Sequence, residues 1–193
     1  MSEFTLYYQL GMEHILDWNG YDHIMFVVAL SALYQISDWK KVLILVTAFT
    51  IGHSITLALA TFDILTPKTK LIEFLIPVTI FITAVSNLFI KESSIHRNIS
   101  VNYFFAGSFG LIHGLGFSNY LKSLLGRDSS IVTQLFAFNI GLEVGQIIIV
   151  GIFLLGSFLF VDIFGVTRRD WRIIISSAVA GIALTIIQDT IYW

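Results

Sequence analysis

The chain has 193 residues, 56% of them hydrophobic and only 12% charged, with a formal net charge of −2. A soluble globular domain carries about twice that share of charge, and a nucleic-acid binder needs a basic patch that this balance does not supply. Six spans of ~20 residues would use about 120 of the 193 residues, which leaves only short connections and no room for a separate soluble domain. The expected class is therefore all-α, a polytopic membrane helix bundle forming a single domain over 1–193.

Residues 1–21 are too polar to span, because Glu3, Glu13, His14, Asp17 and Asn19 interrupt them. With Phe4, Tyr7, Tyr8, Leu10 and Met12 they read as a short interfacial segment on the membrane surface. No basic region followed by an apolar run and a small-residue cleavage site opens the chain, so no cleaved signal peptide is expected. Asn19-Gly20 is a turn signal, and Asp22 is placed to cap a first span at about 22–36. Further spans are expected at about 42–62, 71–90, 103–121, 131–161 and 171–191. Pro77 should kink the third, and the fourth is rich in glycine. The connections on one side carry Lys40, Lys41, Lys91, Arg97, Arg168, Arg169 and Arg172, against Lys68, Lys70, Lys122 and Arg127 on the other. By the positive-inside rule both termini are expected outside the cytoplasm.

No cysteine is present, so a metal site would have to use His, carboxylate, amide or water, a set suited to nickel, cobalt, zinc and related ions. His53 lies near the middle of the second span, His113 near the middle of the fourth and Glu143 well inside the fifth. An intramembrane carboxylate costs ~2.5–3.5 kcal/mol on insertion scales and should face the interior with a partner. Asn139, Glu143 and Gln146 recur at i, i+4 and i+7, on one helical face. Asp22, His23 and His14 sit above these groups, so that the polar positions outline a funnel from the outer surface. Each residue alone has a plainer reading: an interhelical hydrogen bond for a histidine, a helix cap for Asp22, a place in the headgroup layer for His14. His96 reads as solvated. The combination points instead to one metal site, and Gly52, Gly114 and Gly116 beside the histidines would permit close helix approach.

Four blocks carry a resemblance. They are His14 with Gly20-Tyr-Asp-His-Ile-Met-Phe26, then Phe49-Thr-Ile-Gly-His-Ser-Ile-Thr-Leu57, then Gly110-Leu-Ile-His-Gly-Leu-Gly-Phe117, and Phe138-Asn-Ile-Gly-Leu-Glu-Val-Gly-Gln146. In this order they resemble the HupE/UreJ membrane proteins associated with hydrogenase and urease operons, which are regarded as secondary permeases for nickel or cobalt. The resemblance implies that His14, Asp22, His23, His53, His113 and Glu143 handle the metal, with Asn139 and Gln146 supporting them. It also implies a bacterial inner membrane. Many members carry a His-rich amino-terminal segment, of which this chain has only His14.

The leading expectation is secondary transport of a divalent transition-metal ion, nickel or cobalt before zinc, with uptake weakening at acidic pH because binding needs deprotonated ligands. The alternative is an intramembrane zinc-type hydrolase acting on a lipid or membrane-embedded peptide, with Asp22 or Glu143 as general base; the lack of a His-Glu-x-x-His motif counts against it. Expected partners are the metal ion and the bilayer, with a homo-oligomer or a metal-delivery partner left open.

Overall fold

The computed structural model describes residues 2–18, 20–90, 99–124 and 131–193. Asn19 of the expected turn, Lys91, His96, Arg97 and Arg127 lie outside them. The described residues form seven α-helices: α1 (Glu3–Leu16), α2 (Asp22–Ser31), α3 (Trp39–Thr61), α4 (Thr69–Phe89), α5 (Ile99–Leu124), α6 (Ile131–Phe158) and α7 (Arg168–Thr190). A 3-10 turn at Ile36–Asp38 leads into α3, and a π turn at Leu159–Ile163 prolongs α6.

Four segments are long and apolar enough to cross a membrane: Ile36–Thr61, Thr69–Phe89, Ile131–Ile163 and Arg168–Thr190. Two of the six expected spans are not among them. The one at about 103–121 falls inside α5, a helix of 26 residues whose Gly, Ser, Asn and His residues dilute its hydropathy. The one at about 22–36 is a helix of 10 residues, which rises only ~15 Å. Near its end Asn87 Nδ2 of α4 donates to the Ala29 carbonyl at 2.8 Å, satisfying an acceptor that the short helix leaves without an i+4 partner.

Asp22 also differs from its expected role. It is the first residue of α2 rather than its cap, and its Oδ1 accepts from the His23 backbone N–H at 2.9 Å. Side-chain caps occur instead at Ser2, which accepts from the Thr5 N–H, and at Thr167, which accepts from the Asp170 N–H. Each satisfies a helix-start donor with no partner inside the helix.

Close packing follows the glycines. A Cβ added to Gly52 would stand 2.1 Å from the Gly107 carbonyl oxygen, and one at Gly110 would stand 2.2 Å from that of Phe49. Only hydrogen there lets α3 and α5 touch backbone to backbone. The same relation joins α1 to α6, where Cβ atoms at Gly11 and Gly141 would strike the carbonyls of Phe138 and Tyr8. So α1, expected to lie apart on the surface, packs along a helix that is itself apolar enough to span. Both pairs run parallel, since positions rise together along each contact.

Successive long helices reverse. The six residues 125–130 reach at most ~21 Å, less than the ~39 Å rise of α5, so α6 starts at the face where α5 ends. Lys122 pairs with Asp63, and Asn119 Nδ2 donates to Thr69 Oγ1 at 3.0 Å, which ties the end of α5 to the α3–α4 turn. The C-terminus returns to this face, with the Trp193 ring 4.9 Å from Phe74.

Candidate metal centre

Three of the expected ligands converge between α1, α2 and α3. His14, His23 and His53 each offer a ring nitrogen, and these atoms lie within 4.8 Å of one another. Ligand atoms around one ion bonded at ~2.1 Å span at most ~4.2 Å, so three nitrogens this close together are near the spacing that one ion needs. His113 of α5 joins the group one ring further out, with its centroid 5.4 Å from that of His23.

The backbone explains why they meet. The α3–α5 glycine contact puts the His53 N–H and carbonyl against Gly110 and Gly114, which fixes the depth of His53 and His113 together. The α1–α6 contact at Gly11 and Gly141 seats α1 so that His14 reaches the same level. The break at residues 17–21 then turns the chain, and α2 enters with His23 pointing at His14, at a centroid separation of 4.5 Å.

The polar atoms of this group lack ordinary partners. His53 is fully buried, and neither its Nδ1 nor its Nε2 has a hydrogen bond. The Nε2 atoms of His14 and His23 and the Nδ1 of His113 are likewise buried and unbonded. Leaving a buried polar atom unsatisfied costs ~1–3 kcal/mol, so a cluster of them in one place calls for a ligand. Two nitrogens are held from outside. Asp22 Oδ1 lies 3.0 Å from His23 Nδ1, which leaves the His23 Nε2 face to the cluster. Thr79 Oγ1 of α4 lies 3.0 Å from His113 Nε2. A carboxylate behind an imidazole is the usual support for a metal-bound histidine.

Glu143 stands outside the imidazole group: its Oε1 accepts from Thr47 Oγ1. Gln146 Oε1 accepts from Thr50 Oγ1 at 2.8 Å, and Asn139 Nδ2 donates to the Leu135 carbonyl of its own helix. Thus Glu143 and Gln146 tie α6 to α3 on the turns preceding His53. Sequence depth placed Glu143 beside the histidines, but depth leaves azimuth around the bundle open.

Reasoning from the sequence also missed Thr79, which helical hydroxyl spacing does not distinguish from Thr83, and the aromatic walls. Phe117 lies 3.9 Å from the His14 ring, and Phe49 lies 5.2 Å from that of His113. A cavity of about 890 Å³ opens onto His14, His23 and His113, lined among others by Glu13, Asp17, Asp22, Glu73 and Tyr120, with His53 buried behind it. Its acidic rim suits a cation. Imidazole nitrogens in its wall suit a borderline transition metal over calcium or magnesium.

Residues 1–190, nearly the whole chain, match the family described as HupE / UreJ protein. The chain belongs to the HupE/UreJ family. No curated protein and no solved structure matches it. Membership of the HupE/UreJ family and the four apolar helices together make this an integral membrane protein.

Proposed function

We propose that this HupE/UreJ protein is a secondary permease for a divalent transition-metal ion, nickel or cobalt before zinc. The observation that carries the reading is the unsatisfied imidazole cluster at the floor of an acid-rimmed cavity. A hydrated cation enters past Glu13, Asp17 and Glu73, loses water, and is held by His14, His23 and His53, with His113 in reserve. Asp22 keeps His23 in position and offsets part of the ion's charge. By the positive-inside rule the cavity faces outward and both termini lie outside the cytoplasm, in the inner membrane of a bacterium. Glu143 and Gln146 support the site by holding α6 against α3.

The test is uptake into proteoliposomes enclosing a metal-sensitive dye. Nickel or cobalt should enter with wild type and fail to enter with His53→Ala, while magnesium enters with neither. Equal dye response with the two proteins would overturn the reading.

A further inference from the structure

The two glycine-packed helix pairs are built from the same contacts. In the α1–α6 pair a Cβ at Gly11 meets the Phe138 carbonyl and the Leu142 N–H, and one at Gly141 meets the Tyr8 carbonyl and the Met12 N–H. In the α5–α3 pair a Cβ at Gly110 meets the Phe49 carbonyl and the His53 N–H, and one at Gly52 meets the Gly107 carbonyl and the Leu111 N–H. A constant offset of 99 positions carries Tyr8, Gly11 and Met12 onto Gly107, Gly110 and Leu111, and one of 89 carries Phe49, Gly52 and His53 onto Phe138, Gly141 and Leu142. The sequence agrees: Ala48-Phe49-x-Ile51-Gly52 matches Ala137-Phe138-x-Ile140-Gly141, and Gly11-x-x-His14 matches Gly110-x-x-His113. His14 and His113 are therefore counterparts, and each sees the counterpart phenylalanine, His14–Phe138 at 5.8 Å and His113–Phe49 at 5.2 Å.

The matched helices point in opposite directions, because α1 runs with α6 and α5 reverses into α6. The difference of ten positions between the offsets falls between α1 and α3, the stretch that holds the chain break and Asp22-His23.

A repeat of this kind places a counterpart of the open cavity on the opposite face. Leu10, which lines the open cavity, maps onto Phe109. Phe109 lines a separate, largely apolar cavity of about 120 Å³ near the far end of the bundle, whose wall also includes Tyr34, Thr83, Ser86, Asn87 and Asn102. Between that cavity and the histidines stands an aromatic plug: Phe26 lies 4.9 Å from Phe49, 6.1 Å from Phe109 and 4.9 Å from His113.

We infer that the chain is an inverted repeat of α1–α4 and α5–α7 with the histidines at its centre, and that the Phe109 cavity is the collapsed second mouth of the site, closed by Phe26, Phe49 and Phe109. Secondary transporters built from inverted repeats reach their second state when the halves exchange arrangements about a fixed site. The metal then leaves past Thr83, Ser86 and Asn87. The repeat stands on the contacts alone; the exchange rests on the permease reading.

The chain has no cysteine, so single-cysteine variants give a clean readout. Leu10→Cys and Phe109→Cys are placed in sealed vesicles and exposed to a membrane-impermeant maleimide from either face, with and without a nickel gradient. A second pair, Leu16→Cys and Leu115→Cys, guards against a variant that fails to fold, and nickel uptake is measured on the same vesicles. Leu10→Cys should label at least tenfold faster than Phe109→Cys at rest, from the face of the α3–α4 turn. Nickel should slow it and raise labelling of Phe109→Cys from the opposite face. Uptake with no labelling of Phe109→Cys and Leu115→Cys from either face overturns the second mouth and leaves the permease. Simultaneous labelling of both members of a pair from their own faces makes the protein a channel and overturns the exchange. Reciprocal labelling without uptake leaves the repeat and overturns transport.

Discussion

At the scale of single residues, His53 decides between a ligand and a structural histidine. A structural histidine buried at this depth would be hydrogen-bonded, and its loss would cost ~1–3 kcal/mol. Both nitrogens of His53 lack partners. His53→Leu, close in volume, should therefore abolish metal binding while lowering the stability of metal-free protein by less than ~1 kcal/mol, as followed by thermal unfolding in detergent. A large loss of stability with metal binding intact would make His53 a packing residue. Asp22→Asn removes the carboxylate behind His23, and metal affinity should fall ~10–100-fold, measured by titration calorimetry. Protons compete with metal for imidazole nitrogen, so affinity should drop on acidification; an affinity that is flat or rises as pH falls would contradict an imidazole site. His14, His23, His53 and His113 were legible because a polar ring in apolar sequence needs a reason. The Asp22–His23 pair was legible in the sequence, but not the 3.0 Å contact by which Asp22 Oδ1 holds His23 Nδ1. Thr79 was not legible, since helical threonines commonly bond their own preceding carbonyls, as Thr79 also does with Ile76 at 2.7 Å.

At the scale of helices, the glycine contacts set the depth of the site. Gly52→Ala places a methyl 2.1 Å from the Gly107 carbonyl oxygen. Overpacking of this kind costs ~1–3 kcal/mol, and parting α3 from α5 should weaken metal binding as well. Gly151→Ala and Gly156→Ala are the controls. A Cβ at either meets nothing within 4 Å, so these changes should be neutral or stabilise by up to ~1 kcal/mol through helix propensity. If all three variants unfold at the same temperature, the backbone contact is not what holds the pair. Glycines beside the histidines were visible in the sequence, and close packing followed from them. The short α2 was not visible. Residues 22–36 read as one apolar run, and Asn87, which satisfies a carbonyl at the end of the helix, lies 58 positions from it.

At the scale of the whole molecule, the membrane class was readable from composition, because so few charges cannot cover a soluble surface. The count of spans was less so: α1 and α2 together cover 14 and 10 residues, about one crossing, yet neither would cross alone. The internal repeat was hidden by the ten-position difference between its two offsets and by the brevity of the matching blocks. The proposed permease rests on a single transition-metal site formed by three imidazoles brought together from α1, α2 and α3. Cobalt(II) titration of the purified chain, followed by its visible ligand-field absorption, tests this most directly. Wild type should develop bands that saturate at a single equivalent, Glu143→Gln should keep them, and His14→Ala, His23→Ala and His53→Ala should each lose them. Bands that survive in all three histidine variants would contradict the account.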